Sequence, residues 1–404
     1  MLFKAALLAG MAVLASSKPV LDYEINLDLS PEDRYLGLFN VPGNAFNATV
    51  WKFWDVYFAG HQNLVDVLYG IVDKRGQENE EMQREINGLA AASKLPLQFV
   101  QGIQMLYEIQ TLMVPIVNFT GPGVPAFEDY PEFWFPEGYE VLADIPWRGP
   151  GCTGIIALNK ADGTVNHARN LDFAPVDIMY NLVYNGIFTR GGIEVFRAQM
   201  IAGYVMPITG ANFVGDDGYA IERNTRYADH VGGGHEMITN LLSGRELNGW
   251  QLRTMLETET TFAGALEYLS TVPYASTEYA ILSGVKKGSI LARDPDGVAH
   301  VQTLGQENYH ERADYIIMTN FDYYWHDVRE WFDPTGGLGV FHPRRVEAQK
   351  ELEKHLVLTP DVLFDTINNV GVFADTIFQA IINVEKKVWN VSQPDDPNNP
   401  PSKN

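Results

Sequence analysis

The chain reads as an antiparallel α+β protein, a layered sandwich with helices outside and sheets inside. Three observations predict this. Short strand-like runs are joined by hairpin turns, such as Asp162-Gly163, Gly284-Val285-Lys286-Lys287-Gly288 and Asp294-Pro295-Asp296-Gly297. Helix-period blocks lie between those hairpins, the pattern of an α+β architecture and not of a parallel βαβ series. The run Thr153 to Leu158 is apolar on both faces, which requires cover on both sides of its sheet. With 404 residues, 46% of them hydrophobic and 20% charged, the chain has material for a substantial core and no bias toward disorder.

Taken in order, Lys4, the apolar stretch Ala5 to Leu14 and the small residues Ala15-Ser16-Ser17 predict a secretory signal over 1–17. That stretch is too short to span a bilayer. Residues 18–117 are expected to be mainly helical after an extended start. Tyr23, Ile25, Leu27 and Leu29 alternate as in a strand, Met82, Ile86 and Leu89 recur at helical spacing, and Pro96 opens a helix carrying Val100, Ile103, Tyr107 and Gln110. Six prolines and the aromatics Trp134 and Trp147 mark 118–151 as a long loop, a processing linker or a surface insertion.

From Cys152 the pattern is strand-like, with Thr164 to Asn170 returning after the Asp162-Gly163 turn. A helical region is predicted over 235–270. Strands follow at Tyr279 to Leu282, Ser289 to Ala292, Val298 to Thr303 and Tyr315 to Thr319, then a helix over 360–388 and a disordered tail, 393–404.

Charge and motifs narrow the chemistry. The 29 basic and 51 acidic residues leave a net charge of -22, which repels phosphate backbones and excludes nucleic acid as an expected partner. Sequons at Asn47, Asn118 and Asn390 agree with secretion. The single cysteine, Cys152, forbids an intramolecular disulfide, and a lone cysteine is more often a small buried hydrophobe than a nucleophile. Its neighbourhood changes that reading. Arg169 and Asp172 fall where the return strand runs back toward Cys152, and a thiol needs a base and a cationic setting to act as a nucleophile. A structural Arg–Asp pair beside a buried thiol is the competing interpretation. No G-x-S-x-G elbow is present. Gly232-Gly233-Gly234 lacks a following Lys-Ser/Thr, and His310, His326, His342 and His355 lack the spacing of a helix-borne zinc site, so neither cofactor nor metal is expected.

Ordered motifs then point to a family. Ile25-Asn26-Leu27-Asp28-Leu29, Glu80-Glu81-Met82, Leu106-Tyr107-Glu108, Cys152-Thr153, Arg169-Asn170-Leu171-Asp172-Phe173, Ala202-Gly203-Tyr204-Val205 with Thr209-Gly210, and Asn224-Thr225-Arg226 occur in sequence. Tyr279 to Gly284, Ala292-Arg293-Asp294, Thr319-Asn320-Phe321-Asp322 and Arg344-Arg345 complete the series. Together they resemble the acid ceramidase and N-acylethanolamine-hydrolysing acid amidase family of N-terminal-nucleophile hydrolases. The resemblance covers most of the chain after the signal.

The resemblance implies an αββα sandwich made as a precursor and cut between Gly151 and Cys152. The products would be a helical α-subunit, 18–151, and a catalytic β-subunit, 152–392, that remain associated. It implies that Cys152 is the nucleophile and, through its freed α-amine, the base. Asp172 would orient the amine, Arg169 would position nucleophile and substrate, Asn320 would donate its side-chain N–H to the oxyanion, and Arg344, in preference to Arg345, would be the later active-site arginine.

The expected activity is cleavage of an N-acylated lipid, ceramide first and an N-acylethanolamine next, in a lysosomal or secreted protein that touches lipid surfaces transiently. The aromatic loop 127–147 is a candidate wall for the acyl chain. A lipid-binding protein without catalysis, and an amidase for bile-salt conjugates or lactams, are the alternatives. The chain departs from the family pattern at Gly154, where serine is usual. It departs again in the Gly336-Gly337 insertion before Arg344, in the longer linker before Cys152, and in lacking the disulfide cysteines of acid ceramidases.

Overall fold

A computed structural model describes residues 17–113, 151–173, 175–227, 233–306, 312–322, 344–370 and 376–394. The signal residues 1–16, Asn118, the aromatic loop 127–147, the Gly336-Gly337 insertion, His310, His326, His342, the Gln110 side chain and the tail beyond 394 lie outside that description.

Two sheets form the centre. One runs in the order β1 (Ser17–Pro19), β14 (Val388–Pro394), β13 (Thr376–Asn383), β4 (Thr164–Asp172), β3 (Gly151–Asn159), β12 (Tyr315–Met318), and every neighbouring pair is antiparallel. The other runs β11 (Gly297–Thr303), β10 (Lys287–Asp294), β9 (Glu278–Gly284), β8 (Tyr219–Thr225), β7 (Thr209–Asn212), β6 (Ile193–Ile201), β5 (Val183–Arg190), β2 (Asp22–Asn26). Its one parallel pairing joins β2 to β5. The segment before Gly151 therefore supplies a strand to each sheet.

Side-chain parity assigns the layers. Ile156 and Val165 pack with Ile316 and Met318 against Tyr279, Ile281, Ile290 and Ala292, which sets the sheets face to face. Ile155, Ala157, Ala168, Tyr315 and Ile317 point the other way, under α9 (Arg344–Glu353) and α10 (Pro360–Val370), against Ala348, Leu352, Leu363 and Ile367. On the far side of the second sheet, α7 (Asn248–Thr258) lies over β6 and β7, and α8 (Phe262–Thr271) over β9 and β11. Close approach there needs bare backbone: a Cβ at Gly210 would come within 2.5 Å of Leu256. The architecture is thus helix, sheet, sheet, helix, the α+β sandwich that the sequence predicts.

The earlier helices are α1 (Phe46–Tyr57), α2 (Gln62–Arg75), α3 (Glu80–Ser93), α4 (Leu97–Gln104) and α5 (Leu106–Met113). Asn79 caps α3 by accepting from the Met82 N–H at 3.0 Å. The group is tied to the second sheet's helices through buried charge: Glu85 on α3 accepts from Arg253 of α7 at 2.7 Å and from Arg34 at 2.6 Å. No helix among the described residues is long and apolar enough to cross a membrane.

Two expectations need correction. The predicted 360–388 helix stops at Val370, and Thr376–Asn383 is strand β13, because TIFQAIIN is apolar on both faces and carries no period that separates helix from strand. The tail does not begin at Gln393 either: β14 continues to Pro394, where Gln393 pairs with Lys18 of β1. The predicted helical block 235–270 resolves into α6 (Gly233–Leu242), α7 and α8.

Candidate active site

Cys152 is the second residue of β3, and the register of β3 on β4 sets its surroundings. Gly151 pairs with Asp172, Cys152 with Leu171 and Gly154 with Arg169. The hairpin forms because Asp162 accepts from the Thr164 N–H at 3.0 Å while Gly163 takes φ +72°, a backbone state that glycine adopts without strain. Cys152 and Arg169 consequently point into the space between the sheets.

Three residues singled out from the sequence meet Cys152 directly, and a fourth, Asp172, lies beside Arg344. The Cys152 backbone N–H donates to Asn320 Oδ1 at 3.0 Å, and its carbonyl accepts from Arg344 Nη1 at 2.7 Å. Arg344 Nη2 donates to the same Asn320 Oδ1 at 2.7 Å. Arg169 Nη2 lies 3.8 Å from Sγ. Asp172 accepts from Asn170 at 2.8 Å and from the Thr376 hydroxyl at 2.5 Å, with Arg344 Nη1 at 3.8 Å. Arg345 instead turns along its helix to Gln349 at 3.3 Å, so Arg344 is the arginine at the cysteine.

In the uncleaved chain the amide oxygen of Asn320 faces Cys152. Two donors, Cys152 N and Arg344 Nη2, face one end of its amide and require the oxygen there. Its N–H group is left to donate to the Thr225 carbonyl at 2.8 Å. In this arrangement the Asn320 side chain presents an acceptor to Cys152, not an oxyanion donor. Asn320 is held by its neighbours: Arg226 grips Asp322 through two bonds of 2.7 and 2.6 Å, and Tyr279 also donates to Asp322.

Several contributors were not singled out in the sequence. Glu222, buried on β8, accepts between the sheets near His167 Nε2 at 3.0 Å and Arg169 Nε at 3.8 Å, while His167 Nδ1 meets Ser283 Oγ at 3.0 Å. Gly154 faces this carboxylate. A Cβ there would fall 2.8 Å from Glu222 Oε1 and 2.6 Å from Ile281 Cδ1, so the glycine and the carboxylate fit one another. Tyr107 on α5 brings its hydroxyl to 3.7 Å from Sγ. The next residue, Glu108, accepts from Arg223 at 3.0 Å, and Glu278 accepts from the same guanidinium at 2.7 Å. The signal available in the sequence was Leu106-Tyr107-Glu108, whose tyrosine reads equally well as part of an apolar helical stripe.

Burial pushes the Cys152 thiol up, with Glu222 acting the same way, while Arg169, the Tyr107 contact and Arg344 pull it back. Among the described residues no group of three His, Cys, Asp or Glu side chains is placed to hold a metal ion. Of the sequons, Asn47 is exposed at the start of α1 and Asn390 is half-buried in β14.

An apolar cavity adjoins this centre through Tyr107. It is partly open to solvent, and its wall includes Val50 and Phe53 of α1, Phe99 and Ile103 of α4, Tyr107, and Ile208. Tyr107 is therefore shared between the cavity wall and the cysteine. The cavity is built across the segments before and after Gly151.

No family model matches the chain. An N-acylethanolamine-hydrolyzing acid amidase of Caenorhabditis elegans is 27% identical over 249 residues, covering 60% of this chain and 58% of that protein. An acid ceramidase of Heterocephalus glaber is 23% identical over 404 residues, covering 94% of this chain and 87% of the relative. An N-acylethanolamine-hydrolyzing acid amidase of Rattus norvegicus is 27% identical over 263 residues, covering 63% of this chain and 66% of the relative. The match thus spans less than two thirds of the worm and rat amidases' own lengths. The solved structure of the Caenorhabditis elegans amidase ortholog aligns with a TM-score of 0.48 at 23% identity, covering 58% of this chain and 93% of that one.

Two predictions follow from the packing. Gly154→Ser inserts a Cβ against Glu222 and Ile281, so urea unfolding is expected to show a loss of roughly 1–3 kcal/mol, as for other overpacked cores. An unchanged midpoint would show that the carboxylate is not held against β3. The second concerns Glu278, pushed up to about 7 by burial and by Glu108, against the pull of Arg223 and Asn248. Tyr107, Tyr204, Tyr274 and Arg293 are its other ionisable neighbours. A folded-state pKa above the unfolded value means that the fold binds the extra proton. This contribution is complete below the unfolded pKa of about 4.3 and is lost as pH rises through about 7. Thermal melting of Glu278→Gln should therefore lose less stability than wild type between pH 5 and 8, and an equal loss would contradict the assignment.

Proposed function

This chain belongs to the family of acid ceramidases and N-acylethanolamine-hydrolysing acid amidases, and on that premise we propose that it is an amidohydrolase of N-acylated lipids with Cys152 as nucleophile. The observation that carries the proposal is the coincidence of one thiol and two buried arginines at a single strand end, beside an apolar cavity whose wall shares Tyr107 with the thiol.

Activation begins with the bond before the cysteine. Cys152 Sγ attacks the Gly151 carbonyl, the Gly151–Cys152 C–N bond breaks, and the acyl group passes to sulfur while nitrogen takes a proton. Water then hydrolyses the thioester, leaving a Gly151 carboxylate and a free Cys152 amine. That amine has a reference pKa of about 7.7–8.0 and is a base beside its own thiol. In turnover the thiol proton passes to the amine, sulfur attacks the substrate's amide carbonyl, and the amine product departs with a proton. Water releases the fatty acid and restores the thiol. Arg169 holds the sulfur, and Asn320 Oδ1 holds the nitrogen that becomes the amine. Arg344 braces both Asn320 and the Cys152 carbonyl, and Asp172 completes this side through Arg344.

The cavity supports a long acyl chain as the group received, since its wall is aliphatic and aromatic. Ceramide is the first substrate proposed, supported by the acid ceramidase match over 94% of this chain. An N-acylethanolamine is the second, supported by the 27% identity to the amidases. A lysosomal or secreted location accords with both.

The test is release of fatty acid, read by mass spectrometry from about pH 4.5 to about pH 8, since the Cys152 amine must be unprotonated to accept the thiol proton. Substrates are ceramide, an N-acylethanolamine and a taurine conjugate, each with a long and a two-carbon acyl chain. Release from long-chain ceramide or ethanolamide, lost in Cys152→Ala, is the expected outcome. Binding of these lipids without release by a folded, cleaved protein would favour a non-catalytic lipid binder, and release from the taurine conjugate alone would reassign the substrate.

A further inference from the structure

We propose that Tyr107, contributed by the segment before the cleavage site, is a catalytic residue that donates a hydrogen bond to the Cys152 thiolate. This rests on the reading of Cys152 as nucleophile and adds a partner for its charged form.

The geometry is that of a proton with two seats. The Tyr107 hydroxyl donates to the Arg223 carbonyl at 3.0 Å and lies 3.7 Å from Cys152 Sγ. While sulfur keeps its proton, the S–H can donate to the Tyr107 oxygen, and the hydroxyl proton rests on the Arg223 carbonyl. When the thiol proton leaves for the α-amine, sulfur becomes an acceptor only. The hydroxyl proton then turns from the carbonyl to sulfur, with no bond broken and no proton gained or lost by Tyr107. The Arg223 carbonyl is not abandoned in the exchange, because Arg169 Nη2 donates to it at 3.1 Å. Arg169 Nη2 is itself 3.8 Å from Sγ, so sulfur and the carbonyl share the same two donors.

The environment keeps Tyr107 in the donor state. Burial pushes its hydroxyl well above the ordinary tyrosine range, so it neither ionises nor competes with the α-amine as a base. Its position is set from three sides. The Arg223 guanidinium stacks on its ring at 4.2 Å. Glu108, the adjacent residue on α5, is held by Arg223 at 3.0 Å and by the Asn248 N–H at 3.1 Å. Glu278 fixes Arg223 from β9 at 2.7 Å. Glu108 and Glu278 are positioning residues in this account, acting on sulfur only through the seat they give Tyr107. The segment before Gly151 is then part of the working site and not solely a piece removed from it.

Tyr107→Phe separates the hydroxyl from everything else, since phenylalanine keeps the ring under Arg223 and leaves the Arg223 carbonyl bonded to Arg169. The experiment compares wild type and Tyr107→Phe in matched forms, both uncleaved or both cleaved. It reads the rate of Cys152 alkylation by iodoacetamide across pH by mass spectrometry, alongside kcat and KM for the N-acyl substrate and thermal melting. A hydrogen bond to a charged group predicts a thiol pKa raised by roughly one to two units and kcat reduced about 10- to 100-fold, with KM and the melting temperature little changed. Coincident alkylation profiles and equal kcat would overturn the proposal. If wild type hydrolyses no N-acyl lipid, the proposed function fails. The alkylation profiles still decide whether Tyr107 stabilises the thiolate.

Discussion

The pairing register of β3 on β4 is the constraint on which the site depends. It sets Gly151 against Asp172, Cys152 against Leu171 and Gly154 against Arg169. Side chains alternate along a strand, so a slip of one residue would send Cys152 or Arg169 to the face covered by α9 and α10. Register in a hairpin is fixed by its turn, and the side chains it places are buried on both faces, with Ile155 and Ala157 on one side and Ile156 on the other. The hairpin turn at Asp162-Gly163, ten residues from the thiol, thereby holds a chemical centre in place.

Around that hairpin the interior is unusually charged, and paired. Arg169, Arg223, Arg226 and Arg344 are each no more than 1% exposed. Removing such groups from water costs several kcal/mol each unless carboxylates and carbonyls compensate. The compensation also positions: Asp322 on Arg226 fixes the strand end that carries Asn320, and Glu108 and Glu278 on Arg223 fix the helix that carries Tyr107. Gly154 belongs to the same economy of space, since its missing side chain is where the Glu222 carboxylate sits. The departure from the family's serine is thus matched by a neighbour.

Much of this was legible in the sequence, for identifiable reasons. The β9, β10 and β11 meander announced itself through two turn motifs, and the β3–β4 hairpin through Asp162-Gly163. The β5–β6 hairpin had an equally local signal, since Gly191 and Gly192 adopt φ of +60° and +74°, yet it was not foreseen. β13 was misread as helix because a strand buried on both faces has no alternation to show. β1 and β14 pair residues at opposite ends of the chain, which no local pattern encodes. In the site, Cys152, Arg169, Asp172, Asn320 and Arg344 could be named because their motifs are short and ordered. The Asn320 amide orientation could not, since it is decided by Arg344, distant in sequence. Glu222 was not named, and Tyr107 was named in a helical stripe and a motif without a role in the site, because a lone acid in a strand and a tyrosine in an apolar stripe look like ordinary structure.

The account's central claim is that Cys152 becomes the first residue of a new chain by its own chemistry. Intact mass combined with N-terminal sequencing, on wild type and Cys152→Ala held at roughly pH 4.5 without added protease, tests it most directly, because cleavage by the thiol itself needs no other catalyst. The account predicts two wild-type chains that stay together, one of them beginning Cys152-Thr153-Gly154, and a single uncut chain in the variant. A folded wild type that remains whole, or a Cys152→Ala chain cut at the same bond, would contradict it.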